Sequence, residues 1–175
     1  MDAYKYDKQY TVCFTGHRPK GLPWGYDESK PSCKAFIKHL TEVVENAIKA
    51  GYIHFISGLA LGVDMIAADI VLSLKKKYKN VTLTCAIPCI GQESPWREDD
   101  QKRYKKLVKK CDQVIVCSES YDGSKTMHKR NHFMVDNSAV VIAIWNGKPS
   151  GTGSTVAYAK EHGCKAKIIN PNDFK

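Results

Sequence analysis

Two stretches rich in glycine and hydroxyl side chains are candidates for holding an anion. They are Ser57-Gly58-Leu59-Ala60-Leu61-Gly62-Val63-Asp64 and Gly151-Thr152-Gly153-Ser154-Thr155. A glycine admits backbone N–H groups to close range of an anion with no Cβ in the way. A helix starting there adds unpaired N–H groups and the positive end of its dipole. Neither stretch ends in the Gly-Lys-Ser/Thr of a Walker A loop. Each alone also fits a tight strand-to-helix turn with Ser or Thr as N-cap. The presence of both in one chain favours phosphate binding.

Other side chains add to this pattern. Gly16-His17-Arg18-Pro19 offers an imidazole and a guanidinium that can act on a phosphate, or can anchor their own loop. Arg130-Asn131 offers a second guanidinium of the kind that pairs with phosphate or carboxylate. His128 and His132 flank it at a spacing that can hold a metal, but no carboxylate is placed as in HExxH, so no metal site is predicted. Asp64 opens a helix, where a carboxylate favours the dipole. Its alternative use is a contact to ribose hydroxyls. Trp24 and Trp96 fall in loops, where they can stack on a base or pack at a rim. Glu93, Glu98, Asp99 and Asp100 are available acids, and the last three read as first-turn residues of a helix. None is assigned catalysis.

These residues need a scaffold, and the hydrophobic pattern supplies one. Apolar runs mark strands near 11–15, 53–57, 81–87, 114–117 and 140–145, with a last short strand at 166–169. Between them, helical periods appear. Phe36, Ile37, Leu40, Val43, Val44, Ala47 and Ile48 define one, closed by Gly51. Others cover Gly62–Tyr78, the region of Tyr104–Cys111, residues 127–137 and Ser154–His162. Alternating strands and helices predict an α/β fold with a mainly parallel sheet and helices on both faces. The strands are nearly continuously apolar, as expected when both sheet faces are covered. In such a sheet ligands bind outside the carboxyl ends of the strands. The Gly16, Ser57 and Gly151 stretches all follow strands.

Composition narrows the class. The chain has 175 residues, 43% hydrophobic and 26% charged, which suits one domain over 1–175 with its core near 10–172. No apolar run is long enough to cross a membrane. Met1 to Gln9 lacks an apolar signal core, so a cytoplasmic protein is expected. Seven cysteines without paired spacing read as buried free thiols in a reducing compartment. The net charge is +9. Much of it lies in Lys75–Lys79 and Lys102–Lys110, which read as the ends of helices, where cations complement the dipole. The charge thus points only weakly to an anionic partner.

Taken in order, five motifs resemble the YpsA-like branch of the SLOG superfamily, which is bacterial and phage-borne. They are Thr15-Gly16-His17-Arg18-Pro19, the Ser57–Asp64 stretch, Ala86-Ile87-Pro88-Cys89, Arg130-Asn131 and Ser150–Thr155. The resemblance covers about residues 10 to 172. It implies a single Rossmann-like domain that binds nucleotides or their derivatives. LOG-type phosphoribohydrolases of this superfamily carry Pro-Gly-Gly-x-Gly-Thr-x-x-Glu. Pro149 to Ser154 is similar to its start, but the glutamate position falls on Ala157, which removes a carboxylate suited to glycosidic chemistry. The DNA-processing protein DprA, which binds single-stranded DNA, carries Ser-Gly-Leu-Ala-Arg-Gly-Ile-Asp. Here Leu61 replaces the arginine. The SLOG domain of Thoeris antiphage sensors binds a cyclic ADP-ribose signal.

The expectation is therefore a binding domain for a nucleotide or ADP-ribose-like phosphate ligand, with no other cofactor. Gly58, Gly62, Gly151, Thr152, Gly153, Ser154 and Thr155 would hold phosphate, Gly153 opening a helix. Gly16, His17, Arg18, Ser57, Asp64, Arg130 and Asn131 would complete the site. Single-stranded DNA binding and nucleotide N-glycosidase activity, using an acid such as Asp64 or Glu93, are the alternatives. A homo-oligomer is left open.

Overall fold

The computed structural model describes every residue from Met1 to Lys175. The strands are β1 (Thr11–Gly16), β2 (His54–Ser57), β3 (Thr82–Ile87), β4 (Gln113–Val116), β5 (Val140–Ile144) and β6 (Lys165–Ile169). The helices are α1 (Pro31–Lys49), α2 (Val63–Lys75), α3 (Glu98–Lys110), α4 (Gly123–Asp136) and α5 (Gly151–Glu161). All six strands are parallel, in the order β4-β3-β2-β1-β5-β6. This is the Rossmann-like α/β architecture that the alternating pattern predicts.

Side chains on a strand alternate between faces, so one apolar run feeds two cores. Val12, Phe14, Phe55 and Leu83 join the larger core under α1, α2 and α3, with Phe36, Leu40, Val71 and Leu107. Cys13, Ile56, Ala86 and Val141 join the smaller core under α4 and α5, with Met134 and Ala159. Each inner strand is thus covered on both sides.

The cysteines are free thiols, six buried and Cys111 partly so. Burial pushes the Cys117 and Cys164 thiols up to about 11, so these are packing residues, not ready nucleophiles. No helix is long and apolar enough to cross a membrane.

The strand order sets the place of the site. From β1 the chain steps outward through β2, β3 and β4, then returns to lay β5 on the other side of β1. The loops leaving β1 and β5 therefore diverge, opening a crevice at the carboxyl edge of the sheet.

Two helix starts differ from expectation. α4 begins at Gly123, not near 127, because its first turn carries no apolar residue until Thr126 and Met127 pack. α5 begins at Gly151, not Ser154. Ser150 caps it by accepting the Gly153 N–H at 3.1 Å, so the glycines form the helix's first turn.

A candidate anion site at the strand switch point

A cleft of about 520 Å³ opens where β1 and β5 diverge. Its walls come from four places: Gly16 at the end of β1 with His17 and Arg18 after it, Ala60 and Asp64 after β2, Ser124, Met127, His128, Arg130 and Asn131 on α4, and Ser150, Gly151 and Thr152 at the start of α5.

Arg130 is the principal cation. It is 3% exposed, on the buried side of α4. Its Nη1 donates to the Gly58 carbonyl at 2.9 Å and to the Ala86 carbonyl at 3.4 Å. Its Nε donates to Asn131 Oδ1 at 2.8 Å, so Asn131 orients it. Nη2 has no protein partner. Thr84 Oγ1 is the one fully buried side-chain polar atom left without a partner, so Nη2 must reach the cleft.

Asp64 is the principal acceptor. Its Oδ2 takes the Ala60 N–H at 3.3 Å. Oδ1 has no protein partner and reaches the cleft by the same argument. Burial pushes its carboxyl above the ordinary carboxylate range, while the Arg130 charge, the Ala60 N–H and Arg18 pull it down. The two charges do not meet as a salt bridge.

Gly58 lies between them. A Cβ there would run into the Arg130 guanidinium and come 2.8 Å from Asp64 Oδ2. Overpacking of this kind costs about 1–3 kcal/mol. Gly58→Ala is therefore expected to lower stability by that amount in urea unfolding. Adding Arg130→Ala clears the space, so the double substitution should cost less than the sum of the singles.

The start of α5 supplies neutral donors. The Gly153 N–H is capped by Ser150 Oγ, and the Ser154 N–H bonds the Ser150 carbonyl at 3.0 Å. The N–H groups of Gly151 and Thr152 have no protein partner. They lie at the positive end of the helix dipole, facing the cleft that holds Arg130.

Several expected contacts are corrected. Ser57 is fully buried; its hydroxyl donates to the Asp64 carbonyl at 2.8 Å and accepts the Leu59 N–H at 3.2 Å, so it pins a turn. That turn holds Leu59 at φ 49°. Gly62 adopts φ 92° as the N-cap of α2, and a Cβ there would sit 2.7 Å from the His17 carbonyl. It permits α2 to start against the β1 loop. Of the Ser57–Asp64 stretch, Ala60 and Asp64 line the cleft.

In the second stretch, Gly153 backs onto Trp145, whose ring a Cβ would approach at 3.0 Å. The Ser154 and Thr155 hydroxyls donate to the Ser150 and Gly151 carbonyls at 3.2 and 3.0 Å. None of these three lines the cleft, whereas Gly151 and Thr152 do.

His17 is an anchor and not a cation. Its Nε2 accepts the Asn146 N–H at 3.2 Å, which requires that nitrogen to be unprotonated. Burial also lowers its pKa. The ring ties the loop after β5 to the loop after β1 and so holds the cleft mouth. Arg18 is exposed, its carbonyl accepts the Gly21 N–H at 2.8 Å, and its guanidinium makes no hydrogen bond and lines the cleft.

Trp24 is 1% exposed and stacks on Phe36 at 4.8 Å, so it is core and cannot take a base. Ser124, Met127 and His128 line the cleft although the sequence did not single them out as ligand contacts. An earlier start for α4 was the missing signal. His132 stacks on Tyr158 at 3.7 Å and not on the cleft.

A depression of similar volume, about 550 Å³, lies beyond β4 against Met1 and Asp2. It sets Lys129 and the Met1 amine against two acids, Asp2 and Glu119, with no helix start in its wall. The first cleft, by contrast, combines a buried guanidinium with a helix start.

The chain is similar to proteins of related sequence and fold. It is 34% identical over 134 residues to the uncharacterized SPbeta prophage-derived protein YoqJ of Bacillus subtilis, covering 70% of this chain and 78% of that one. It is 27% identical over 167 residues to a UPF0398 protein of Bacillus thuringiensis, covering 93% and 88%. Its fold superimposes on DNA processing protein A of Helicobacter pylori with a TM-score of 0.61 at 19% identity, over 93% of this chain and 69% of that one. That protein is described by its single-stranded DNA binding mode. The YspA SLOG family profile matches residues 12–174, and the chain belongs to that family.

Proposed function

We propose that the cleft between β1 and β5 binds the phosphate of a nucleotide or nucleotide-derived ligand, of ADP-ribose type, as a sensing or signalling domain in a phage or stress response. One observation carries this reading. A buried guanidinium keeps an unpartnered Nη2 in the same cleft as two unpartnered N–H groups of a helix start. An anion entering the cleft replaces the water on these donors, and bonds from an ionised donor to an ionised acceptor are the stronger kind. Asp64 Oδ1 beside them suits a ribose hydroxyl.

A thermal-shift screen over nucleotides, cyclic nucleotides and ADP-ribose variants tests it. Binding to the native state alone raises stability by mass action. One or a few ligands should raise Tm, and chromatography should detect no released base, since Ala157 stands where the related hydrolases carry glutamate. A panel in which no ligand raises Tm would overturn the proposal.

A second reading, single-stranded DNA binding, draws on the Helicobacter neighbour. The charge distribution favours it less. Lys75 pairs with Asp112, just before β4, and Lys102 and Arg103 pair with Glu98, Glu28 and Asp69. The ends of α2 and α3 lie at the amino edge of the parallel sheet, away from the cleft. DNA binding through backbone phosphates would fall steeply with salt; a small ligand held by one phosphate would respond weakly.

A further inference from the structure

Next to the anion cleft lies a second pocket, of about 370 Å³, which shares Arg18 and Met127 with it. It is built from the loop after β3, Pro88 to Trp96, and from Tyr121 just before α4. Ile90 and Tyr121 are 73% and 69% exposed, large apolar side chains left open to solvent at its mouth. Its far wall is fixed. Trp96 is half-buried and meets Tyr104 edge-on at 5.5 Å. Gln92 Nε2 donates to the Gly58 carbonyl at 3.2 Å and to Tyr104 Oη at 3.3 Å.

The Gly58 carbonyl can only accept, so it sets which end of the Gln92 amide faces it. Gln92 Oε1 is then left without a protein partner, an acceptor on a residue that lines the pocket beside its apolar and aromatic side chains. The Arg18 side chain lines both pockets and its guanidinium makes no hydrogen bond.

We propose that this pocket takes the planar base of the nucleotide whose phosphate the cleft holds. This rests on the phosphate reading above. Apolar and aromatic walls of this kind favour a flat ring, and every base has a π face to offer them. A free amide oxygen favours a base carrying an exocyclic amino group. The continuity of the two pockets through Arg18 matches a ligand that is anionic at one end and aromatic at the other. Gln92 and Arg130 share the Gly58 carbonyl, so the base pocket and the phosphate cation are positioned by one atom.

The test is calorimetry with ribose 5-phosphate and the four ribonucleoside 5′-monophosphates, on the parent, Tyr121→Ala, Ile90→Ser and Gly151→Asp. Both apolar positions are largely exposed, so their substitution should leave the fold intact. The parent should bind at least one nucleotide about tenfold or more tightly than ribose 5-phosphate. An amino-bearing base should lead. Tyr121→Ala and Ile90→Ser should remove most of that preference and leave ribose 5-phosphate binding unchanged, whereas Gly151→Asp should weaken both ligand types. Equal binding of ribose 5-phosphate and all four nucleotides by the parent overturns the base pocket and leaves the phosphate site standing. A nucleotide preference unmoved by both apolar variants does the same. Failure of the parent to bind any of the five overturns the base pocket, and the wider thermal-shift panel then decides the phosphate reading.

Discussion

Gly151→Asp is expected to abolish most ligand binding while leaving the protein folded. A Cβ at Gly151 meets nothing within 4 Å, and its φ is not in the left-handed region. An acid in the first turn of a helix favours the dipole by about 0.3–1 kcal/mol, so stability should hold or rise slightly. The same carboxylate would stand beside the two free N–H groups that face the cleft. Two like charges about 4 Å apart repel by about 1–4 kcal/mol between aqueous and near-surface dielectrics, or roughly fivefold to a thousandfold in affinity. Calorimetry with the nucleotide that raises Tm most reads the loss, and thermal unfolding without ligand reads the fold. Binding equal to the parent's would place the anion away from α5. Gly153 is a poorer position for this test, because the Trp145 ring stands 3.0 Å from its Cβ direction.

Arg130→Ala is expected to damage binding and stability together. It removes Nη2 from the cleft, at a cost to ligand affinity of about 1.5–3 kcal/mol for a charge-assisted bond. It also breaks the hydrogen bonds by which α4 holds the Gly58 and Ala86 carbonyls. Losing them should lower stability by about 2–3 kcal/mol. The stability loss should depend on pH, through Asp64. Burial already raises that carboxyl, and Arg130 opposes the rise. Without the cation it rises further. A carboxyl whose folded pKa exceeds its unfolded value is protonated in the folded state first, so stability falls as pH climbs from the unfolded pKa through the folded one. The deficit of the variant should therefore be larger near neutral pH than at about pH 4–5, as read by urea unfolding at both. A deficit independent of pH would show that Asp64 does not feel Arg130.

The scaffold was more legible than the chemistry. β1, β2, β3 and β5 read correctly because both faces of each are buried, which leaves an unbroken apolar run. β6 is an edge strand whose Lys165 and Lys167 are exposed, yet Ala166, Ile168 and Ile169 still marked it. The start of α5 misled because Gly151, Gly153 and the neighbouring hydroxyl residues favour turns. Ser150 and the two back-bonded hydroxyls override that preference by occupying the backbone groups of the first turn.

The site residues show a sharper limit. Gly58 is required by a guanidinium 72 residues away, and Gly62 by the His17 carbonyl. In a sequence, a glycine that makes room for a neighbouring side chain looks the same as one that makes room for a phosphate. Gly151 and Thr152, by contrast, do face the cleft. Arg130 was identified by its residue type, but its burial and the spare Nη2 come from the packing of α4 across β3. His17 looked cationic because nothing in the sequence shows that the Asn146 N–H already occupies its ring.

The most direct test is an amide NMR titration of the ¹⁵N-labelled protein with the nucleotide that raises Tm most, backed by Arg130 Nε signals. The largest shifts should fall on the Gly151 and Thr152 amides, on Gly16 to Arg18 and on the Arg130 side chain. Shifts confined to the lysine-rich ends of α2 and α3, with the Gly151 and Thr152 amides unmoved, would contradict binding in the cleft.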